Sequence, residues 1–220
     1  MRTIRVWFSK SGDACYISHL DLQRVMHRSL AKAQIPAWYS QGFNPHIYMT
    51  FALPLPLGQE SVCEAMDFRC EDDAYSLDAI RDNLNAALPL GLRVLNVTEA
   101  KDKAGDIAAA CYTMYLPDTA AVRSAVQVYN ESESAFVSKI GKQNGRKTEK
   151  QMDLKPHLKA MEYTAEEGKL RFDMTLPAGS SVNLNPGLLV QFLQTVCSDD
   201  LSSAVILRTQ VLKTDGTPFV

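Results

Sequence analysis

The chain has 220 residues, of which 46% are hydrophobic and 22% are charged, as in an ordinary soluble globular protein. Its 23 basic and 25 acidic residues give a net charge of −2, so the molecule as a whole is not a polycation. No stretch approaches the roughly 18 apolar residues that cross a membrane, and the N-terminus lacks the apolar segment of a signal peptide. We therefore expect a cytoplasmic protein of one large or two small domains, without a membrane partner.

Hydrophobic periodicity predicts a β-α-β-β-α-β order in the first 100 residues. The predicted elements are a strand at 3–9, a helix from Ser18 to before Pro36, extended runs at 47–53 and 64–69, a helix at 76–88 and a strand at 92–98. Ser18 and Asp21 have the spacing of a capping box, which favours a helix start there. This order is that of a ferredoxin-like unit.

A similar order follows a charged, glycine-containing segment at 99–109, which is typical of a linker. The sequence predicts strands at 111–116, 135–140, 170–176 and 205–212 and helices at 120–130 and 186–197. A lysine-rich stretch at 141–165 is predicted as an insertion. We therefore predict an α+β fold of two tandem ferredoxin-like (βαββαβ) units with antiparallel sheets. The first domain would span 1–100, and the second would span 101–220 and carry the basic insertion.

Cysteine spacing bears on cofactors and metals. The five cysteines are widely separated, and neither a CxxC nor a CxxxCxxC motif occurs. This pattern argues against a disulfide framework, a zinc knuckle or an iron–sulfur cluster held by this chain alone. On the predicted helix His19 and His27 are two turns apart, which is too far for a metal pair within one turn. We predict no metal and no cofactor.

Charge is distributed unevenly along the chain. Residues 1–59 carry six basic and two acidic side chains, residues 60–82 carry eight acidic and two basic, and residues 139–159 carry seven basic and two acidic. Two basic segments on one face would suit a polyanion such as RNA. A solvated surface with a local bias explains the same counts, and the sequence leaves both interpretations open.

The predicted helix after Ser18 carries a flank of polar side chains beside its apolar arc. Taking about 100° per residue, one flank contains His19, Gln23 and His27, with Arg24 and Arg28 further round. Imidazoles beside guanidinium groups suit an anion or an RNA backbone. Half-buried histidines and solvated arginines at the edge of a packed helix are the alternative.

The segment SQGFNPH contains a second group of candidate binding residues. Gly42 permits a positive φ and Asn44-Pro45 favours a turn, which places Phe43 at its tip. An aromatic ring there would stack on a base or anchor the loop to the core. The candidate RNA- or partner-binding residues of the whole chain are Lys10, His19, Gln23, Arg24, His27, Arg28, Ser40, Gln41, Phe43, Asn44, His46, Arg146, Lys147 and Lys150.

Several motifs carry a family resemblance over about the first 70 residues. They are Phe8, Lys10 and Gly12, SHLDL at 18–22, SQGFNPH at 40–46, PLPLG at 54–58, and Glu60 with Ser61. This pattern resembles the N-terminal half of the radical SAM-linked protein family, whose members are encoded beside, or fused behind, a radical SAM protein of the B12-binding type. Ile47 and Tyr48 stand where that family usually continues with proline and a basic residue. The resemblance implies a radical SAM partner that would hold the iron–sulfur cluster.

Three functions are compatible with these observations. The first is a non-catalytic accessory module that binds ribosomal or transfer RNA for a radical SAM enzyme. The second is a protein–protein adaptor that docks on that enzyme through Phe43 and the PLPLG segment, without nucleic acid. The third is a metal-independent endoribonuclease that uses His19, His27 or His46 as general acid or base, since imidazole titrates near neutral pH. No standard catalytic motif is present, so we expect an accessory role first.

Overall fold

Four α-helices and ten strands form a mixed α+β structure in the part of the chain that the computed structural model describes. That part comprises residues 1–143, 146–179 and 182–220, with side chains described outside 139–149 and 180–181. The chain divides into two compact units. The first contains Met1–Ala110, Ala178–Ser181 and Leu207–Val220, and the second contains Cys111–Pro177 and Val182–Ile206. The predicted α+β class is confirmed.

The first unit follows the predicted order of its first six elements. These are β1 (Arg2–Lys10), α1 (His19–Lys32), β2 (Met49–Phe51), β3 (Glu60–Cys70), α2 (Leu77–Ala87) and β4 (Leu92–Glu99). Strand β1 lies between β4 and β3, β2 pairs with β3, and all these pairs are antiparallel. A short 3-10 helix, Gly12–Tyr16, precedes α1.

Strand β10 (Val205–Lys213) lies between β3 and β5 (Ile107–Pro117) in the strand order. It pairs with β3 in parallel, with Leu207 opposite Glu60 and Arg208 opposite Ser61. The sequence had placed this strand at the end of a second ferredoxin-like unit. Its alternating apolar pattern predicts a strand correctly, but such a pattern does not specify which neighbour the strand pairs with.

The remaining elements lie in the second unit, except that β5 begins with Ile107–Ala110 of the first. These are β5 (Ile107–Pro117), α3 (Ala120–Glu131), β6 (Phe136–Gln143), β7 (Arg146–Asp153), β8 (Thr164–Glu166), β9 (Lys169–Pro177) and α4 (Gly187–Val196). Strand β9 lies between β5 and β8, while β6 and β7 form a separate antiparallel pair. The predicted insertion therefore contains a strand, β7. It pairs with β6 from Phe136 opposite Asp153 to Gln143 opposite Arg146.

The tandem arrangement is not confirmed. Strand β6, which was predicted in the second sheet, pairs instead with β7 from within the predicted insertion, and β10 pairs with β3 of the first unit. The predicted linker also contains the 3-10 helix Ala104–Asp106 and the start of β5. The division into consecutive domains at 1–100 and 101–220 stays a prediction.

The core of the first unit includes apolar side chains at alternate positions of β1 and at helical spacing on α1. Ile4, Val6 and Phe8 point to one face of β1 and are fully buried, as their spacing predicts. Helix α1 covers this face with Leu22, Met26 and Leu30, all buried. Since burying one such side chain contributes roughly 1.5–3 kcal/mol, this contact is enough to hold α1 in one orientation.

Charged side chains also lie inside the first unit. Arg208 is 1% exposed and Glu64 is 3% exposed, and the Arg208 Nε donates to Glu64 Oε1 at 3.2 Å. The Arg208 Nη2 donates to the same carboxylate and to the Leu53 carbonyl, the latter at 2.6 Å. A buried charge is tolerated when it is paired in this way, and it becomes costly when its partner is removed.

The Arg208–Glu64 pair gives the first prediction. Replacing Arg208 by Met leaves the Glu64 carboxylate buried without its cation, so we expect the free energy of unfolding to fall by about 3–5 kcal/mol. Urea unfolding followed by circular dichroism measures the change. The control is Arg81→Met on α2, where the exposed guanidinium pairs with Asp78 and Asp82 and its loss has a much smaller effect. Equal losses in the two variants would contradict the prediction.

Candidate functional site

The start of α1 is held by local polar contacts. The Ser18 hydroxyl accepts from the Asp21 N–H at 3.2 Å and donates to the Asp21 carboxylate at 2.7 Å. Asp21 also binds Arg24 at 2.9 Å, one turn along the helix. The Ser18 hydroxyl and then Arg24 lower the pKa of Asp21. The predicted cap is therefore present, and it also orients the first of the two arginines.

Lys10 supports the turn that leads into α1. Its Nζ donates to the carbonyls of Cys15 at 3.3 Å and Ile17 at 3.0 Å, and the residue is only 1% exposed. Burial lowers the pKa of Lys10, while the Glu64 carboxylate opposes that change. Lys10 was predicted as a direct binding residue, but the structure places its ammonium inside the unit, against backbone carbonyls.

The PLPLG segment and Glu60 each make one hydrogen bond to the turn before α1. The Gly58 N–H donates to the Cys15 carbonyl at 2.9 Å, and the Gly12 N–H donates to the Glu60 carboxylate at 2.8 Å. Gly58 has a φ of +79°, which a residue with a side chain adopts only with strain. The two halves of the sequence motif therefore meet in one supporting structure.

A cavity of about 670 Å³ lies along the exposed flank of α1. Helix α1 contributes two pairs of polar side chains, one helical turn apart, and one leucine. The segment from the end of the SQGFNPH turn onward lines the other side. The lining residues are Leu20, Gln23, Arg24, His27, Arg28, His46, Ile47, Tyr48 and Met49. Four of the predicted helix residues and one predicted loop residue therefore meet in one cavity. Its volume falls in the range of small-ligand sites, about 300–1,000 Å³.

A known family model matches this chain over most of its length. The model of the family described as an uncharacterized protein conserved in bacteria (DUF2344) matches residues 3–186, which is most of the chain. The chain belongs to this family. No curated protein matches the chain. The matched region includes the whole of the cavity lining.

The SQGFNPH turn of this family member is closed by His46 and Ser40. The Ser40 N–H donates to the His46 carbonyl at 2.8 Å, and the His46 N–H donates to the Ser40 hydroxyl at 3.2 Å. The His46 Nδ1 lies 3.0 Å from that hydroxyl and 3.2 Å from the Asn44 carbonyl. These contacts occupy Nδ1, so the imidazole is held at the cavity edge in a defined orientation.

Phe43 does not anchor this turn to the core. Its side chain is completely exposed, and Gln41 and Asn44 beside it are exposed as well. Gly42 has a φ of +139° with open space around it, which allows the sharp turn. The alternative of a core anchor for Phe43 is therefore wrong. Phe43 is absent from the residues that line the cavity.

His19 lies beside the cavity lining rather than in it. Its Nε2 is 3.1 Å from the Gln23 Nε2, and its ring meets the Phe51 ring edge-on at 5.1 Å. Burial lowers the pKa of His19; the Glu64 carboxylate raises it and the Lys10 ammonium lowers it again. The neutral imidazole is thus favoured near neutral pH, and it accepts from the Gln23 amide in the tautomer that leaves Nε2 unprotonated.

His27 lines the cavity with an unsatisfied atom. Its Nε2 is buried and has no hydrogen-bond partner in the described part of the chain, and its ring lies edge-on to Tyr39 at 6.1 Å. Buried polar atoms are nearly always hydrogen-bonded in proteins, so an unpaired one beside a cavity makes His27 a candidate ligand-binding residue. No three His, Cys, Asp or Glu side chains among the described residues are grouped as metal ligands.

Sequence reasoning missed a set of stacked side chains next to the cavity. The Arg69 guanidinium lies 5.4 Å from the centre of the Trp38 ring and 5.7 Å from that of Tyr48, and Tyr48 also lines the cavity. Arg69 comes from β3, so tertiary folding brings it to the loop. The available signal was Tyr48 itself, which stands where the resembled family usually has a basic residue.

The basic insertion lies in the second unit. The side chains of Arg146 and Lys147 are outside the described residues, while Lys150 is exposed on β7. Lys155 is used internally, because its Nζ donates to the carbonyls of Asn130 at 3.2 Å and Lys159 at 2.9 Å. At least one lysine of the predicted basic insertion, Lys155, therefore has a structural role.

The lowered pKa of His19 gives a second prediction. Because its pKa is lower in the folded chain, His19 binds a proton more readily in the unfolded chain. The free energy of unfolding therefore rises with pH between the folded-state pKa of His19 and its ordinary value of 6.5. Above 6.5 the contribution of His19 to stability no longer changes with pH. We expect the C2-proton NMR titration of His19 to give a pKa below 6.5. Unfolding free energies measured in this window should depend less on pH in His19→Gln than in the wild type, and an equal slope in both would contradict this.

Proposed function

We propose that this chain is a non-catalytic accessory subunit that binds RNA and works with a radical SAM enzyme. The observation that carries the proposal is the cavity on α1. Its lining contains two guanidinium groups, two imidazoles and a tyrosine, and it contains no carboxylate among the described residues. Arginines that hydrogen-bond phosphate oxygens, together with aromatic rings that stack on bases, are the usual components of single-strand RNA sites.

The charge of α1 supports a polyanionic ligand. Arg24 pairs with Asp21, whereas Arg28 makes no ion pair among the described side chains and donates only its Nε, to the Arg24 carbonyl at 3.3 Å. The terminal nitrogens of Arg28 are thus available for a phosphate, which two parallel N–H groups bind well. The flanking residues 1–59 carry a net charge of +4.

The sequence motifs support the radical SAM partner. SHLDL, SQGFNPH and PLPLG resemble the radical SAM-linked family, and the chain has no cysteine motif for a cluster of its own. In this proposal the partner performs the chemistry, and this chain presents the RNA in the cytoplasm.

The strand order also supports a finer description of the first unit. β4-β1-β3-β2, with helices between β1 and β2 and between β3 and β4, is the order of a ferredoxin-like sheet. We propose that description for the first unit, with β10 as an added strand beside β3.

Salt dependence of RNA binding gives a third prediction. Replacing Arg24 and Arg28 together by Met removes two phosphate contacts. We therefore expect weaker binding, and the slope of log K against log salt should become shallower by about 1.4 for single strands. Fluorescence anisotropy with labelled ribosomal and transfer RNA fragments measures both changes, with and without the radical SAM protein. The matched control is Lys32→Met with Lys101→Met, two exposed lysines of the same unit outside this cavity. Absence of salt-dependent RNA binding in the wild type would overturn the proposal.

A protein–protein adaptor is a second candidate, favoured by the exposure of Phe43. A completely exposed phenylalanine on a loop, with Leu57 of the PLPLG segment 64% exposed in the same unit, is typical of a docking contact. We expect Phe43→Ser to weaken capture of the radical SAM protein at least tenfold if docking is the function. Capture that persists at high salt and after nuclease treatment supports the adaptor, and capture unaffected by Phe43→Ser contradicts it.

A further inference from the structure

The cavity has polar and apolar parts that match different groups of one ligand. Arg24 and Arg28 are exposed, while Ile47 is buried and Met49 half-buried. An anionic group would therefore be solvated and paired at the arginines, and an apolar or flat group would contact the side chains beneath. Most ligand sites combine apolar walls with a few placed polar groups in this way.

The unsatisfied Nε2 of His27 restricts the ligand further. His27 is a lining residue, its Nε2 is buried just beneath the cavity surface, and no described side chain or backbone group hydrogen-bonds to that atom. A free phosphate would satisfy the arginines but would leave the apolar wall uncovered. An apolar ligand would cover the wall but would leave both His27 and the arginines without partners. A phosphorylated ligand with a polar ring meets all three requirements.

The stacked side chains at the edge of the cavity indicate that the ligand extends beyond the cavity itself. Tyr48 is 48% exposed and contributes to both the cavity and the stack with Arg69 and Trp38. Base stacking on an aromatic ring contributes about 1–3 kcal/mol, that is roughly 5- to 150-fold in affinity, and it needs an unpaired base. The adjoining ring therefore favours a single strand over a duplex.

We infer that the cavity binds one nucleotide of a single-stranded RNA. Its phosphate would lie against Arg24 and Arg28, and the neighbouring base would stack on Tyr48. Its base would hydrogen-bond to the Nε2 of His27 once the imidazole turns toward the ligand, since that atom is buried in the ligand-free chain. This inference rests on the proposed RNA binding and assigns its recognition site to the first unit alone. It also gives a reason for Tyr48, which stands where the resembled family usually has a basic residue. At this position a stacking contact with a base would take the place of an ionic contact with a phosphate.

The first experiment uses the full chain and free nucleotides. AMP, CMP, GMP and UMP, and inorganic phosphate as the charge control, are titrated while the C2 proton signals of the four histidines are followed by NMR. We expect the His27 and His46 signals to move with at least one nucleotide, and to move far less with phosphate at the same concentration. The His157 signal, from the second unit, serves as the reference. Movement of His27 with phosphate alone would overturn the base contact.

The second experiment compares matched variants with a labelled pentanucleotide and with a duplex of the same sequence. Tyr48→Ala and His27→Phe should each weaken binding of the single strand roughly tenfold or more. The matched aromatic control is Phe136→Ala, an exposed ring of the second unit, and we expect it to bind as the wild type does. Circular dichroism and the melting temperature check that each variant is folded.

The outcomes distinguish a failure of the proposed nucleotide site from a failure of the proposed RNA-binding function. If longer RNA binds and the Tyr48 and His27 variants match the Phe136 control, the nucleotide site is wrong and the accessory RNA function stands. If the duplex binds as well as the single strand, the stacking part is wrong. If no RNA binds in any form, the proposed function fails, and the inference fails with it.

Discussion

The Glu64 carboxylate is the constraint on which the first unit depends. It lies in the interior, neutralises Arg208 from the parallel strand β10, and raises the pKa of both Lys10 and His19 against the effect of burial. Lys10 in turn holds the carbonyls that precede α1. One buried charge thus links the pairing of β10, the turn before α1 and the histidine beside the cavity. Buried charges of this kind persist only when each has a partner.

Helix α1 connects this interior to the candidate site. Leu22, Met26 and Leu30 pack on β1, while Gln23 and His27 face the cavity from the adjoining flank. The orientation of the packed side therefore determines the position of the polar side. A rigid helix set by core packing places its side chains with more precision than a loop does, which suits a binding site.

The loop from Trp38 to Met49 is positioned by contacts of a different kind. Ala37 and Trp38 pair with the end of β3, Tyr39 pairs with Ile47, and Ser40 with His46 closes the turn. The loop therefore has a fixed base and an exposed tip at Phe43. This arrangement gives two surfaces in the first unit, a cavity for a ligand and an exposed ring, and the two candidate functions differ in which surface carries the activity.

The sequence by itself determined most of the elements and much of the lining. Periodicity predicted the four helices and most of the strands, though not β7 or β8. The 3.6-residue spacing put His19, Gln23 and His27 on one flank of α1, with Arg24 and Arg28 further round, because side-chain direction on a helix is a consequence of local geometry. Tertiary structure alone decided the partner of β10, the separate β6–β7 pair, the burial of Lys10 and the contact of Arg69 with Trp38 and Tyr48. The pairing of β10 with β3 and the contact of Arg69 with Trp38 join residues far apart in the chain. Strand pairing and charge burial both depend on which neighbours the folded chain provides, and no local pattern encodes that.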